Sequence, residues 1–141
     1  MQHTDELRAL RVLHGALCMG CIMFILVLIY LDRTNGPSGD REPGVLVVAG
    51  LSSLLLIPVS FMVFRGRIGQ LQQGSAEPFN ALRAALIIHW ALIEAAFFFN
   101  AVVFLVSGSW FVLGASALAL AVLASRAPTE ARIIDWISGQ G

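Results

Sequence analysis

The stretch RAALIIHWALIEAAFFFNAVVF (83–104) is apolar almost throughout, yet it carries one carboxylate, Glu94, eleven residues after Arg83. A helix rises about 1.5 Å per residue, so Glu94 lies about 16 Å beyond Arg83, near the middle of a hydrocarbon layer about 30 Å thick. Inserting a charge at that depth costs about 2.5–3.5 kcal/mol, and burial favours the neutral, protonated form. Two uses can justify the cost. Glu94 is either a neutral hydrogen-bonding group tying its helix to a neighbour, or a carrier of a proton or cation. An acid inside a membrane helix points to the second.

The rest of the chain fits a membrane setting. Of 141 residues, 57% are hydrophobic and 13% charged, and the mean hydropathy is +0.80. So few charges cannot cover the surface of a soluble domain of this size, and the expected class is an all-α integral membrane protein. Four apolar runs, 12–31, 45–64, 82–106 and 110–124, reach or approach the roughly 20 residues of a helical crossing. They are expected to form one domain, a four-helix bundle of two antiparallel hairpins. The fourth run is short and must stand upright or use its flanks. Arg8 and Arg11 before the first run imitate a signal peptide, but the apolar part is too long and no small-x-small site precedes LDRTNG (31–36), which favours a retained anchor.

Polar, turn-rich segments join the runs: DRTNGPSGDREPG (32–44), RGRIGQLQQGSAEPFNA (65–81) and the tight turn Ser107-Gly108-Ser109. All nine basic residues are Arg, and nine acids balance them. Arg8, Arg11, Arg65, Arg67, Arg83, Arg126 and Arg132 fall on one side of the four crossings and only Arg33 and Arg41 on the other. That bias places both termini and the second loop in the cytoplasm, at a plasma membrane of bacterial type. In the tail, Thr129 is an N-cap signal, and Ile133, Ile134, Trp136 and Ile137 form one apolar face, so a short interfacial helix is expected.

The Arg residues form no basic face, which argues against nucleic acid as a partner. The expected partners are the lipid bilayer and either further copies of the chain or the subunits of a membrane complex. No phosphate loop, dinucleotide glycine pattern, nucleophile elbow or metal-ligand cluster is present, so no cofactor or catalytic site is expected. Cys18 and Cys21 lie within an apolar run and read as small packing residues. LRALRVLHGAL (7–17) aligns without gaps on LRAALIIHWAL (82–92), sharing Leu, Arg, Ala, His, Ala and Leu. The helices that follow match around Gly50 and Gly114. A duplication and chance similarity between Ala/Leu-rich helices both account for this. In such a repeat Met19 stands where the second half has Glu94.

Partners for Glu94 can be sought by depth. Counting back from Arg65, Ser53 and Leu54 reach the same level in the second run. Pro58 has no N–H and its ring clashes with the carbonyl four residues earlier, which leaves the Leu54 C=O without its helical bond. The Ser53 hydroxyl and Leu54 carbonyl are therefore the expected partners of Glu94, provided the two helices touch; otherwise Pro58 is a simple kink. Trp90, Phe97 and Phe98 share Glu94's side and either shield the carboxyl or merely pack. His89 and Asn100 lie within about 20° of each other around the helix but well off Glu94's line, and are expected to face another helix or the headgroups. His14 is expected near the cytoplasmic interface, as a hydrogen-bonding packing residue rather than a ligand.

The centre of the chain, about 45–106, resembles the c subunit (proteolipid) of rotary F-type and V-type ATP synthases. The likeness runs through GRIGQLQQGSAEP (66–78) and LRAALIIHWALIEAAFFFNAVVFLV (82–106), where Arg83 opens a helix and ALIEA (91–95) places a carboxylate eleven residues on. It implies a helical hairpin with a cytoplasmic loop, and Glu94 as the group that takes up and releases an ion. The chain departs from the family in keeping only Gly44 and Gly50, with Ser52 and Ser53, where the family's first helix repeats Gly-x-Gly. It also has Ala76-Glu77-Pro78 in the loop, and two flanking helices. The expected function is thus an ion-translocating membrane subunit. A non-catalytic structural or assembly subunit and a small proton-coupled transporter are the alternatives.

Overall fold

The computed structural model describes residues 2–35, 43–72 and 78–138. Within them the chain is helical almost throughout and contains no strand: α1 Gln2–Asn35, α2 Pro43–Gln72, α3 Pro78–Ser107, α4 Trp110–Ser125 and α5 Glu130–Ser138. Three of these (α1, α2 and α3) are long and apolar enough to cross a membrane. A fourth crossing exists if α4 and α5, bent by 78° at the break between them, are one span. Most of the first loop and the tip of the second, residues 36–42 and 73–77, lie outside the described residues.

The main difference from the sequence expectation lies in 65–72, read there as loop but folded as the last two turns of α2. Gly66 and Gly69 each cost a helix about 1 kcal/mol relative to Ala. Phe64, Ile68 and Leu71, spaced i, i+4 and i+7, offset that cost by packing on the core, with Phe64 and Leu71 buried. The turn between α3 and α4 is as expected. Gly108 takes φ 60°, and its N–H caps α3 by donating to the Phe104 carbonyl at 2.8 Å. The Ser109 carbonyl accepts from the Val112 N–H at 2.9 Å to begin α4. Thr129 begins α5, its hydroxyl accepting from the Arg132 N–H at 3.4 Å and its carbonyl from the Ile133 N–H at 3.1 Å.

α3 is the central helix, and every other helix packs against it. Its buried residues, among them Leu82, Leu86, Trp90, Ile93, Phe97 and Phe104, recur every three or four positions over a wide arc. The broadest interface is between α2 and α3, followed by α3 and α4; α4 also touches α1 and α2. α1 and α2 have no packed interface among the described residues, which corrects the expected hairpin of the first and second helices. The reason lies in the sequence pattern. α3 is apolar on more than one face and can receive a neighbour on each side. Most of the large side chains of α1 and α2 point outward instead, including Met23, Leu26, Leu54 and Met62.

Candidate functional site

Polar side chains are concentrated on α3 and divide between two of its faces. The first meets α2. Asn100, fully buried, donates from Nδ2 to the Ser53 hydroxyl and to the Ala96 carbonyl at 2.9 Å. Three turns earlier, buried His89 has its Nδ1 3.1 Å from the Ser60 carbonyl. A carbonyl can only accept, so Nδ1 carries the proton and Nε2 is left as an acceptor. Nε2 has no hydrogen-bond partner, and neither does Asn100 Oδ1. The rings of Phe61 and Phe64 lie 5.0 Å from the imidazole on either side. His89 and Asn100 thus face another helix, and both bind α2 to α3.

The second face meets α1 and α4. Buried His14 has its Nε2 2.9 Å from the Leu123 carbonyl of α4, so Nε2–H is the donor and Nδ1 can accept from the Cys18 thiol 4.0 Å away. The His14 ring stands 4.9 Å from that of Trp90, and Phe24 meets Phe97 and Phe98 at 6.5 and 5.2 Å. Trp90, Phe97 and Phe98 therefore pack against α1. Ser116 of α4 reaches the Phe97 carbonyl at 3.5 Å.

Glu94 belongs to this second face. Five residues past His89, it lies about 140° round the helix from the α2 seam. It is partly buried and lies on the side of α3 near Cys18 and Cys21 of α1. No hydrogen bond or ion pair joins it to another group among the described residues. The structure brings Ser53 to Asn100, which donates to its hydroxyl, and joins neither Ser53 nor the Leu54 carbonyl to Glu94 among the described residues. Arg65 and Arg83 are not level, because α2 runs seven residues past Arg65 while α3 begins five residues before Arg83. Counted from the end of α2 at Gln72 and the start of α3 at Pro78, Ser53 lies level with Phe97 to Asn100, about one turn beyond Glu94. Pro58 sits in the interior of α2, two residues before the Ser60 carbonyl that His89 uses.

Two clasps were missed by reasoning from residue types alone. His14 and His89 stand at matching places in the aligned segments 7–17 and 82–92, and each donates to a backbone carbonyl of a helix from the other half of the chain, Leu123 near the end of α4 and Ser60 in the interior of α2. The repeat was the signal that could have paired them. The Asn100–Ser53 bond could have been found from the α2–α3 register, once the helical extension of α2 was recognised.

One end of the molecule gathers most of the arginines. Arg8 and Arg11 of α1, the start of α3 and α5 line a common cavity there. Arg126 stacks 4.4 Å over the Phe61 ring, and Phe64 meets Trp136 at 5.2 Å. Burial first, then the charges of Arg132 and Arg65, hold the Arg126 guanidinium below its ordinary range. Arg132 donates to the Ser125 and Ala127 carbonyls at 2.6 and 3.3 Å, closing the end of α4. Among the described residues no group of three His, Cys, Asp or Glu side chains could hold a metal ion. Compared with protein-family models, curated proteins and solved structures, the chain matches none.

Proposed function

We propose that this chain is a membrane-embedded, proton-translocating subunit in which Glu94 takes up and releases the ion at mid-membrane. One observation carries the reading: Glu94 is the acid of α3 left without a partner, while the work of tying helices together is done by other residues. His89 and Asn100 hold α2, and His14 holds α4. A carboxyl retained as hydrogen-bonding glue would be bonded across a helix interface, and Glu94 is not. An intramembrane acid free of such a bond can exchange a proton without breaking the fold.

In this reading α1, α2, α3 and the α4–α5 pair form a four-helix bundle, with both termini and the α2–α3 loop on the cytoplasmic side. The α2–α3 pairing is the hairpin that the proteolipid resemblance implies, which supports the comparison of Glu94 with that family's carboxylate. The proposal concerns the chemistry of the carboxyl and not a ring of many copies. α1 and α4 pack on α3 where a neighbouring hairpin would stand. Gly44 and Gly50 have open space around them rather than a closely packed helix.

The test uses the full chain in sealed vesicles under an imposed pH gradient, with an internal pH dye. Wild type is expected to dissipate the gradient and Glu94→Gln to hold it, with helicity and thermal stability unchanged. A hydrophobic carbodiimide is expected to label Glu94 between about pH 5 and 8, because such reagents attack the protonated carboxyl in apolar surroundings. Equal flux in the two proteins, with Glu94 unlabelled, would sink the proposal and leave the structural-subunit reading.

A further inference from the structure

Outside the Glu94 site, the feature with the clearest chemistry is the cavity of about 710 Å³ between the start of α1, the start of α3 and α5. Arg8, Arg11 and Glu130 line it together with Phe79, Ile133, Ile137 and their apolar neighbours. The volume falls in the range of pockets that hold organic ligands, about 300–1,000 Å³, and is far beyond the need of a single ion. Its position is equally specific. The apolar runs of α1 and α3 begin just past it, at Val12 and Leu82, so where those helices cross a bilayer the cavity stands at the level at which headgroups meet acyl chains. Ile134, also lining it, is 59% exposed and has no protein cover.

We propose that this cavity is a phospholipid site, selective for a headgroup that carries both a phosphate and a primary ammonium. The occupant must be amphipathic with the same layering as the cavity, which a phospholipid is and a soluble anion is not. Arg8 and Arg11 present guanidinium groups suited to phosphate oxygens. The Arg11 Nε is held by the Pro128 carbonyl at 3.1 Å, so its terminal nitrogens are placed beside α5 before any ligand arrives. Glu130, which lines the same cavity, attracts an ammonium, which an ethanolamine headgroup carries and a glycerol headgroup lacks. The acyl chain lies along Phe79, Ile134 and Ile137. The site is independent of Glu94, which belongs to the middle of α3.

The experiment is native mass spectrometry of the full chain, released from vesicles of equimolar phosphatidylethanolamine and phosphatidylglycerol into mild detergent. Wild type is expected to retain one phosphatidylethanolamine per chain in preference to phosphatidylglycerol. Arg8→Gln is expected to lower retention about tenfold, the loss of one charge-assisted hydrogen bond. Glu130→Gln should keep total lipid but lose the preference. Ile134→Ser, which leaves every charge in place, should lower retention of both lipids. Far-ultraviolet circular dichroism establishes that each variant is folded. No retained lipid, unchanged retention in Arg8→Gln, or wild-type preference for phosphatidylglycerol would each overturn the proposal. Complete displacement by millimolar inorganic phosphate would do the same, since it would mark a free-anion site.

Discussion

The Asn100–Ser53 bond is the sharpest quantitative test of how α2 and α3 are held together. Removing Asn100, which is fully buried, breaks a bond to the partly buried Ser53 hydroxyl, but its second donor contact is to Ala96 in its own helix. Interhelical side-chain bonds in membranes average about 0.6 kcal/mol and reach about 1.7, because the unfolded chain in lipid also finds partners. The Asn100 side chain is entirely enclosed, so the upper part of that range applies, about 1–1.7 kcal/mol, or up to about tenfold or more in the folding equilibrium. The measurement is a double-mutant cycle of Ser53→Ala and Asn100→Ala, read by equilibrium unfolding in mixed micelles. Ser52 supplies the internal control: its hydroxyl donates to the Ala49 carbonyl of its own helix at 2.7 Å. The Ser52→Ala and Asn100→Ala cycle should therefore give a coupling within about 0.3 kcal/mol of zero, the additivity of independent sites. A Ser53–Asn100 coupling no larger than the Ser52 control would refute the α2–α3 register.

Two further outcomes are expected. Phe64→Ala should destabilise the protein by about 3 kcal/mol, the low end for a buried aromatic. With Trp90 and Trp110 replaced by Phe, it should also shift Trp136 emission to longer wavelength, since Phe64 is the ring against which α5 docks; unchanged emission would contradict that docking. His14→Phe keeps a ring beside Trp90 but loses the bond to Leu123, and should cost about 0.5–1.5 kcal/mol in the same unfolding assay. A neutral or stabilising substitution would show that the clasp of α1 on α4 contributes nothing.

Much of the architecture was legible in the chain because lipid imposes simple rules. Hydrophobic length located α1, α2 and α3, and Gly108 and Thr129 marked their turn and cap by local chemistry. What was not legible was which helix packs on which. In a membrane every helix is apolar on all sides, so hydrophobicity does not say which face is inside. The polar residues do, but only in pairs. Ser53 was placed level with Glu94 because depth was counted from Arg65, and Ile68 and buried Leu71, which carry α2 onward, were read as part of a loop. Arg65 and Arg83 are not level, because α2 runs on to Gln72 and α3 begins at Pro78, and the shift of under one turn moved Ser53 from the level of Phe97 towards that of Glu94. The separation of His89 and Asn100 from Glu94 was correct, since it depended only on angle within one helix.

The two histidine clasps also bear on what the smallest cooperative unit of this protein is. α1 and α2 belong to the first half of the chain yet rest on α4 and α3, and not on each other. The first half alone would be two unattached helices in lipid, and it becomes a structure only by embracing the second. A backbone nick between 73 and 77 therefore severs no helix-to-helix contact, and the two fragments should find each other when made separately. If the repeat descends from a single ancestral hairpin, that hairpin met its partner as a second molecule. The continuous chain then fixes within one molecule what was once an encounter between two.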